Sequence, residues 1–328
     1  MTMNANVLSC HITTDTVADT FGADVLNGLS QLPKRLHAKY FYDKEGDKLF
    51  QEIMACPEYY PTRCELEIFR DKTAELANAM ITGEAFDLIE LGAGDATKSQ
   101  YLLQYLVDRH TAFTYMPIDI SGNILSELQN RLETVMPDLS LHCLEGDYLE
   151  MLDKATALSS RRKIVLFLGA NIGNMEPREA VAFCRSLRER LQPGDLVLIG
   201  FDLKKHPRII RNAYDDSAGI TAKFNLNLLK RINRELNGNF VTEQFEHYQS
   251  YDPMTGACKS YLVSLCDQQV TICKNHFNFR RDEVIYMEVS QKYAIEEITT
   301  LADKTGFRSV QNTYDTRRWF ADVCWEVV

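Results

Sequence analysis

The chain has little of what would tie it to a nucleic acid, a membrane or a metal. Positive charge is in deficit: 36 lysines and arginines face 46 aspartates and glutamates, for a formal net charge of −10. The short basic clusters Arg161-Arg162-Lys163, Lys204-Lys205 and Arg280-Arg281 are too scattered to make the basic face that phosphates require. No nucleic-acid partner is expected. No run approaches the roughly 18 apolar residues of a membrane-spanning helix, so no membrane partner is expected either. Met1-Thr2-Met3-Asn4-Ala5-Asn6 lacks the basic start and apolar run of a signal peptide. Nine cysteines, from Cys10 to Cys324, form no Cys-x-x-Cys pair and no cysteine–histidine zinc spacing. No metal is expected. Thiols such as Cys143, Cys184, Cys266 and Cys324 read as small core residues of a cytoplasmic protein in a reducing compartment. Internal repeats and low-complexity tracts are also missing.

What is present is ample core material. At 328 residues and 45% hydrophobic, the chain can hold one large or two ordinary domains. Its most informative stretch is Phe86-Asp87-Leu88-Ile89-Glu90-Leu91-Gly92-Ala93-Gly94-Asp95, an apolar run leading into a glycine turn. A second run, Met116-Pro117-Ile118-Asp119-Ile120, brings an acid 25 residues after Gly94. This is the nucleotide-binding half of a doubly wound α/β domain. Gly92 and Gly94 let the backbone approach a ligand, and Asp119 can accept from ribose hydroxyls. The third glycine of the dinucleotide fingerprint is absent, so S-adenosylmethionine fits better than NAD. An ordinary strand–turn–helix junction is the other reading.

From 65 to 200, helices and strands alternate. Helix Glu65–Met80 is followed by strand Phe86–Leu91, helix Lys98–Val107, strand Phe113–Ile118 and helix Ile124–Val135, capped by Ser121. Ile164-Val165-Leu166-Phe167-Leu168 reads as a buried central strand, and helix Pro177–Leu191 and strand Leu196–Ile199 follow. Beyond Phe201 the alternation stops. A helical region over 207–235 precedes a hairpin turning at Asp252-Pro253-Met254-Thr255-Gly256. Helix Ile295–Thr305 ends at Gly306. Alternation in Trp319–Val328, with Asp322, Cys324 and Glu326 between apolar residues, suggests the closing antiparallel hairpin of the main sheet. The expected domains are 65–200 with 294–328, and a discontinuous α+β second domain from 1–64 with 201–293.

Several polar groups fall where ligands bind in such sheets. Asp147-Tyr148 follows the short apolar run Ser140–Leu144, read as the third strand, where an acid can meet an adenine amine and an aromatic ring can stack; a plain loop aspartate is the alternative. Lys98 follows the glycine turn and can reach a cofactor carboxylate, or can be a solvated first-turn lysine. Gly169-Ala170-Asn171-Ile172-Gly173-Asn174 follows the central strand and offers a tight loop with neutral hydrogen-bond groups. The polar run from Tyr214 to Asn225 fits either a ligand site or a capped helix start. Glu288 and Ser290 share one face of a strand; buried unpaired, the glutamate would be costly, so it faces solvent or a ligand donor.

Taken together, the chain resembles the S-adenosylmethionine-dependent histidine Nα-methyltransferases of ergothioneine biosynthesis. Relatives of that family include the methyltransferase domain of ovothiol synthases and a fungal N-methyltransferase of a tryptophan derivative. The likeness runs from about Leu32 to Tyr293 and more weakly to the end. It is carried by Phe41-Tyr42-Asp43 with Gly46, Pro57-Glu58-Tyr59-Tyr60-Pro61-Thr62-Arg63, Glu90-Leu91-Gly92-Ala93-Gly94, Ile172-Gly173-Asn174 and the run Tyr214–Asn225. The resemblance implies a Rossmann-like class I methyltransferase sheet with a C-terminal antiparallel hairpin and a substrate-binding domain. It implies a cofactor site at Gly92, Gly94, Lys98, Asp119, Asp147 and Tyr148. It places the amino acid's α-amino and carboxylate groups at Tyr42, Gly169, Asn174 and Tyr214, and its side chain at Tyr59, Glu288 and Ser290. The family's methionine beside the imidazole has no obvious counterpart; the stretch here reads Lys259-Ser260-Tyr261.

The reaction so implied is attack by a neutral α-amine of L-histidine on the sulfonium methyl, up to the trimethyl betaine. The sulfonium already activates the methyl, so alignment and water exclusion are the enzyme's main tasks. Tyr42 is the expected catalytic residue, positioning the amine. The expected partner is a small-molecule amino acid, and a monomer is expected. Two other functions stay open: N-methylation of another amine, such as tryptophan or a modified histidine, and a non-catalytic cofactor-binding homologue.

Overall fold

The computed structural model describes residues 16–328, so Met1–Asn6 and Cys10 lie outside the described residues. The expected strand–helix alternation builds one large sheet. Its strands are β1 (Phe86–Leu91), β2 (Phe113–Asp119), β3 in two pieces (Ser140–Leu141 and Leu144–Glu145), β4 (Arg162–Phe167), β5 (Leu196–Asp202), β6 (Phe307–Tyr314) and β7 (Phe320–Val327). Their order is β6-β7-β5-β4-β1-β2-β3. Strands β1 to β5 are parallel; β7 is antiparallel to β5 and closes a hairpin with β6. The chain winds outward from β1 to β3 and then crosses back to β4. The strand order therefore reverses between β1 and β4, and ligands of such sheets bind at the carboxyl ends there.

Burial follows from the pleat. Successive residues of a strand face opposite sides. Leu88, Leu166 and Leu198 lie in one apolar layer, and Ile89, Val165 and Ile199 in the other. Both faces are covered, which is why β1 and β5 are buried throughout and read as nearly continuous apolar runs. Although Asp322, Cys324 and Glu326 alternate with apolar residues in β7, every residue of it except Glu326 is buried. Helix Pro61–Asp71 packs against β7 and covers the face that carries Asp322 and Cys324.

Local signals set most boundaries. The Ser121 hydroxyl accepts from the Ile124 N–H at 3.4 Å at the start of helix Gly122–Val135. Gly306, at φ 85°, ends helix Ile295–Thr305 in the left-handed conformation that favours glycine. The single helix expected over Glu65–Met80 is two, Pro61–Asp71 and Thr73–Asn78. They break at Lys72, whose ammonium donates to the Tyr314 carbonyl at 2.6 Å. The helical region after Phe201 is likewise two helices, Pro207–Tyr214 and Ile220–Glu235.

The chain divides into two compact units. The larger takes Gln51–Thr221, Gln249–Ser260 and Val289–Val328; the smaller takes the described residues up to Phe50 with Ala222–Tyr248 and Tyr261–Glu288. These boundaries differ from the expected domains. Residues 51–64, 201–221, 249–260 and 289–293 fall in the larger unit, where helix Pro61–Asp71 covers β7 and strand β5 continues to Asp202.

In the smaller unit, Lys34–Arg35 pairs in parallel with Ile285 and Tyr286. Tyr42, Phe50 and Phe224 pack ring edges together at 5.5–6.0 Å. A hairpin of Gln268–Ile272 with Asn275–Phe279 turns through Cys273 and Lys274, at φ 47° and 66°. Among the described residues, no helix is long and apolar enough to cross a membrane, and no cluster of histidine, cysteine or acidic side chains could hold a metal. The eight described cysteines are all free thiols.

Candidate active site

The larger unit gathers the expected cofactor residues at the carboxyl ends of β1, β2 and β3. Gly92 has φ 72°, and a β-carbon there would lie 2.6 Å from the Tyr148 hydroxyl. The position requires glycine for both reasons. Asp119, the last residue of β2, spans the turn: Oδ2 accepts from the Gly94 N–H at 3.1 Å and Oδ1 from the Ser121 N–H at 3.0 Å. Asp147 caps helix Tyr148–Ala157 by accepting from the Leu149 N–H at 3.0 Å. Burial, with Asp119 and Asp147 nearby, raises the Tyr148 phenol above its ordinary pKa.

Glu90, inside the glycine motif, is fully buried and accepts from the Tyr115 hydroxyl. Burial pushes its carboxyl from 4.5 up to about 7, against the opposing pull of Tyr115, Ser99 and Lys98. The folded state thus holds this proton more tightly than the unfolded chain. The stabilisation is fully present below about pH 4.5 and is lost as the pH rises through about 7. Glu90→Gln keeps an acceptor for Tyr115 and removes the titration. Unfolding measured across that window should show the variant gaining on the wild type by up to about 3 kcal/mol. A difference that stays flat with pH contradicts this account of Glu90.

Lys98 precedes its helix, which begins at Gln100. Its ammonium pairs with Glu65, which is buried. The Glu65 carboxylate also accepts from the Gly169 N–H at 2.7 and 3.0 Å. Burial works against the Lys98 charge, but Glu65 overcomes it and holds the ammonium above its usual pKa. Asp322 of β7 lies beside this pair, and neither of its buried oxygens has a hydrogen-bond partner among the described residues. Burial, with Glu65 nearby, raises its carboxyl well above its ordinary value, against the opposing pull of Lys98. Gly169, just past β4, and Lys98, after the glycine turn, are thus tied together through Glu65.

The loop after β4 ends in a short 3-10 turn, Asn171–Asn174. It lies against the end of strand Val284–Gln291, since a β-carbon on Gly173 would meet the Gln291 carbonyl at 2.9 Å. The neighbour of Gln291 is Ser290, whose hydroxyl meets that of Tyr214 at 2.8 Å, across 76 positions of sequence. Tyr59 packs edge-on against Tyr214, ring centres 5.9 Å apart. Asp216 caps helix Ile220–Glu235 by accepting from the Ile220 and Thr221 N–H groups at 2.8 and 2.7 Å.

Lys292 joins this group: it is fully buried and donates to Tyr214 at 2.6 Å, to Ser290 at 2.7 Å and to Asp202 at 2.7 Å. Asp202 also accepts from Lys205 and from the Tyr60 hydroxyl at 2.8 Å. Burial alone would raise the Asp202 carboxyl, but the two ammoniums hold it below its ordinary value. Of the remaining expected residues, Tyr42 and Glu288 belong to the smaller unit. Tyr42 is half-exposed at the edge of its ring cluster.

Glu65, Asp202, Lys205, Lys292 and Asp322 were not singled out from the sequence. Two of them left a signal. Glu65 shares a helix face with Ile68 and Phe69 at three- and four-residue spacing, an acid on an apolar stripe. Lys292 continues the two-residue period of Glu288 and Ser290.

This strand order, with a glycine turn after β1 and an acid closing β2, defines a class I S-adenosylmethionine-dependent methyltransferase. Gly92 lets the Tyr148 ring come close to the backbone of the turn, and Asp119 already organises the adjoining residues, so the residues fit that cofactor. Residues 21–327 match the family of S-adenosylmethionine-dependent, histidine-specific methyltransferases, and the chain belongs to it. It is 34% identical to a histidine N-alpha-methyltransferase of Mycolicibacterium smegmatis, over 92% of this chain and 93% of that protein. It is 33% identical to a histidine N-alpha-methyltransferase of Mycobacterium tuberculosis, over 91% of this chain and 90% of that protein. An L-tryptophan methyltransferase of Psilocybe serbica is 30% identical, over 87% of this chain and 86% of its own length.

Proposed function

We propose that this protein transfers methyl groups from S-adenosylmethionine to the α-amino group of L-histidine, up to the trimethyl betaine, as a cytoplasmic monomer. The observation that carries the amino-acid reading is the meeting of Tyr214 and Ser290 beside the Gly169–Asn174 loop. The free thiols agree with a reducing compartment. When bound, the cofactor supplies a methyl group already activated by its sulfonium. Gly92, Gly94, Lys98, Asp119, Asp147 and Tyr148 would hold it.

The chain's own residues bind and align the amine. Asn174 and the tyrosine hydroxyls are neutral donors and acceptors, so they orient the substrate without adding a charge that would hold the amine protonated. Tyr42 is proposed to position the amine nitrogen, with water carrying its proton away. Exclusion of other water and fixed geometry supply the remaining advantage.

Glu288 is proposed to accept from an imidazole N–H. A hydrogen bond to a charged group contributes roughly 1.5–3 kcal/mol, so Glu288→Ala should raise KM for histidine about 10- to 100-fold. Steady-state kinetics giving an unchanged KM would remove Glu288 from the substrate site. A second reading, methylation of tryptophan or another amine, draws on the fungal relative and on Ser260. That residue stands near the missing methionine, and its hydroxyl donates to Gln249 at 2.7 Å.

A further inference from the structure

Glu65 stands between a residue proposed to hold the cofactor and a loop proposed to hold the amino acid. Its side chain is 1% exposed, pairs with the Lys98 ammonium and accepts from the Gly169 N–H at 2.7 and 3.0 Å. A β-carbon on Gly169 would lie 3.5 Å from Lys98 Nζ, so the two partners of Glu65 are also neighbours of each other. All three residues belong to the larger unit.

Lys98 keeps capacity for a second anion. An ammonium has three donors and no acceptor. Among the described residues, Glu65 is the only hydrogen-bond partner of Lys98 Nζ. Two donors remain on a side chain that is 23% exposed. Gly169, for its part, opens a loop with a costly backbone. Gly169 at φ 77° and Ala170 at φ 55° both lie in the left-handed region, and Ala170 lacks the freedom of glycine. Such backbone persists only where its surroundings over-determine it. Glu65 holds the N–H of the first of these residues.

The two bonds to Glu65 are not independent. Two donors compete for one carboxylate, and two acceptors compete for one ammonium. A second carboxylate at Lys98 therefore weakens its hold on Glu65 and leaves more of the Glu65 charge to the Gly169 N–H.

We propose that Glu65 is a positioning residue that couples the two ligands: a cofactor carboxylate at Lys98 strengthens its grip on the Gly169–Asn174 loop and so tightens binding of the amino acid. The proposal rests on the amino-acid methyltransferase reading above. A loop fixed in advance costs the incoming ligand less ordering. By linkage, the amino acid tightens cofactor binding by the same factor.

The test is calorimetry on the full chain. L-histidine is titrated alone, with saturating S-adenosylhomocysteine, and with saturating 5′-methylthioadenosine, which has the nucleoside but no carboxylate. Histidine should bind about 10-fold more tightly with S-adenosylhomocysteine than alone, and within about twofold of its unaided affinity with 5′-methylthioadenosine. S-adenosylhomocysteine titrated with and without histidine should return the same factor. Glu65→Gln keeps the size and one acceptor oxygen and removes the charge, so its factor should fall to about 1. Weaker affinities with the factor intact would mean a merely structural role and overturn the proposal. A wild type without coupling overturns it too, as does one in which 5′-methylthioadenosine does as well as S-adenosylhomocysteine. Should Glu65→Gln fail to fold, Glu65→Met with Lys98→Met removes both charges together and should also show a factor of about 1; a retained factor overturns the proposal. A wild type that binds L-tryptophan in place of histidine defeats the histidine reading alone, and the same titrations with tryptophan then decide the coupling. Binding of no amino acid overturns the coupling and the amino-acid reading together.

Discussion

Replacing Glu65 by alanine should destabilise the protein by about 3–5 kcal/mol and weaken cofactor binding with it. Glu65 is the buried partner of Lys98 and the acceptor for the Gly169 N–H. Removing one member of a buried ion pair leaves the other charge uncompensated, which is more damaging than replacing both. The loss also strands a backbone donor of the loop after β4. The variant leaves a cavity against Gly200, where Glu65 Oε1 stands 2.3 Å from the position a β-carbon would take. Thermal unfolding should shift down by roughly 6 °C or more. The double variant Glu65→Ala with Lys98→Met should recover part of that loss, since neither charge is then left alone. An unshifted melting temperature in the single variant would contradict the proposed network.

Asp119→Ala should weaken S-adenosylhomocysteine binding about 100-fold in calorimetry. That factor corresponds to about 2.7 kcal/mol, within reach of one hydrogen bond to a charged group plus a loosened turn. Asp119 is proposed to accept from the cofactor's ribose, and it already fixes Gly94 and Ser121 through their N–H groups. Both functions vanish in alanine. Asp119→Asn keeps one acceptor oxygen and should lose less. Affinity unchanged in Asp119→Ala would remove it from the cofactor site.

The large sheet was legible because its physics is local. A parallel strand covered on both faces must be apolar at nearly every position, and β1, β4 and β5 read that way. The glycine turn and Asp119 were legible because close backbone approach permits few residue types. The hairpin at Cys273 and Lys274 was not, because both adopt positive φ without the glycine or asparagine that usually marks such a turn. Helix Thr16–Ser30 also went unseen. The burial of the polar half of β7 was not legible, since Asp322 lies beneath a helix that sequence places some 250 residues away. Glu65 meets Lys98 and Gly169, 33 and 104 positions away, Lys292 meets Tyr214, 78 positions away, and Asp202 meets Tyr60, 142 positions away, spacings that no local pattern encodes.

The central claim is methyl transfer to the α-nitrogen of histidine. The most direct measurement incubates the full chain with S-adenosylmethionine and each of the twenty amino acids, and follows the products by mass spectrometry. The account predicts that histidine alone gains one, two and then three methyl groups, with fragmentation placing them on the α-nitrogen. Methylation on the imidazole ring, preferential methylation of a different amino acid, or no methylated product at all would contradict it.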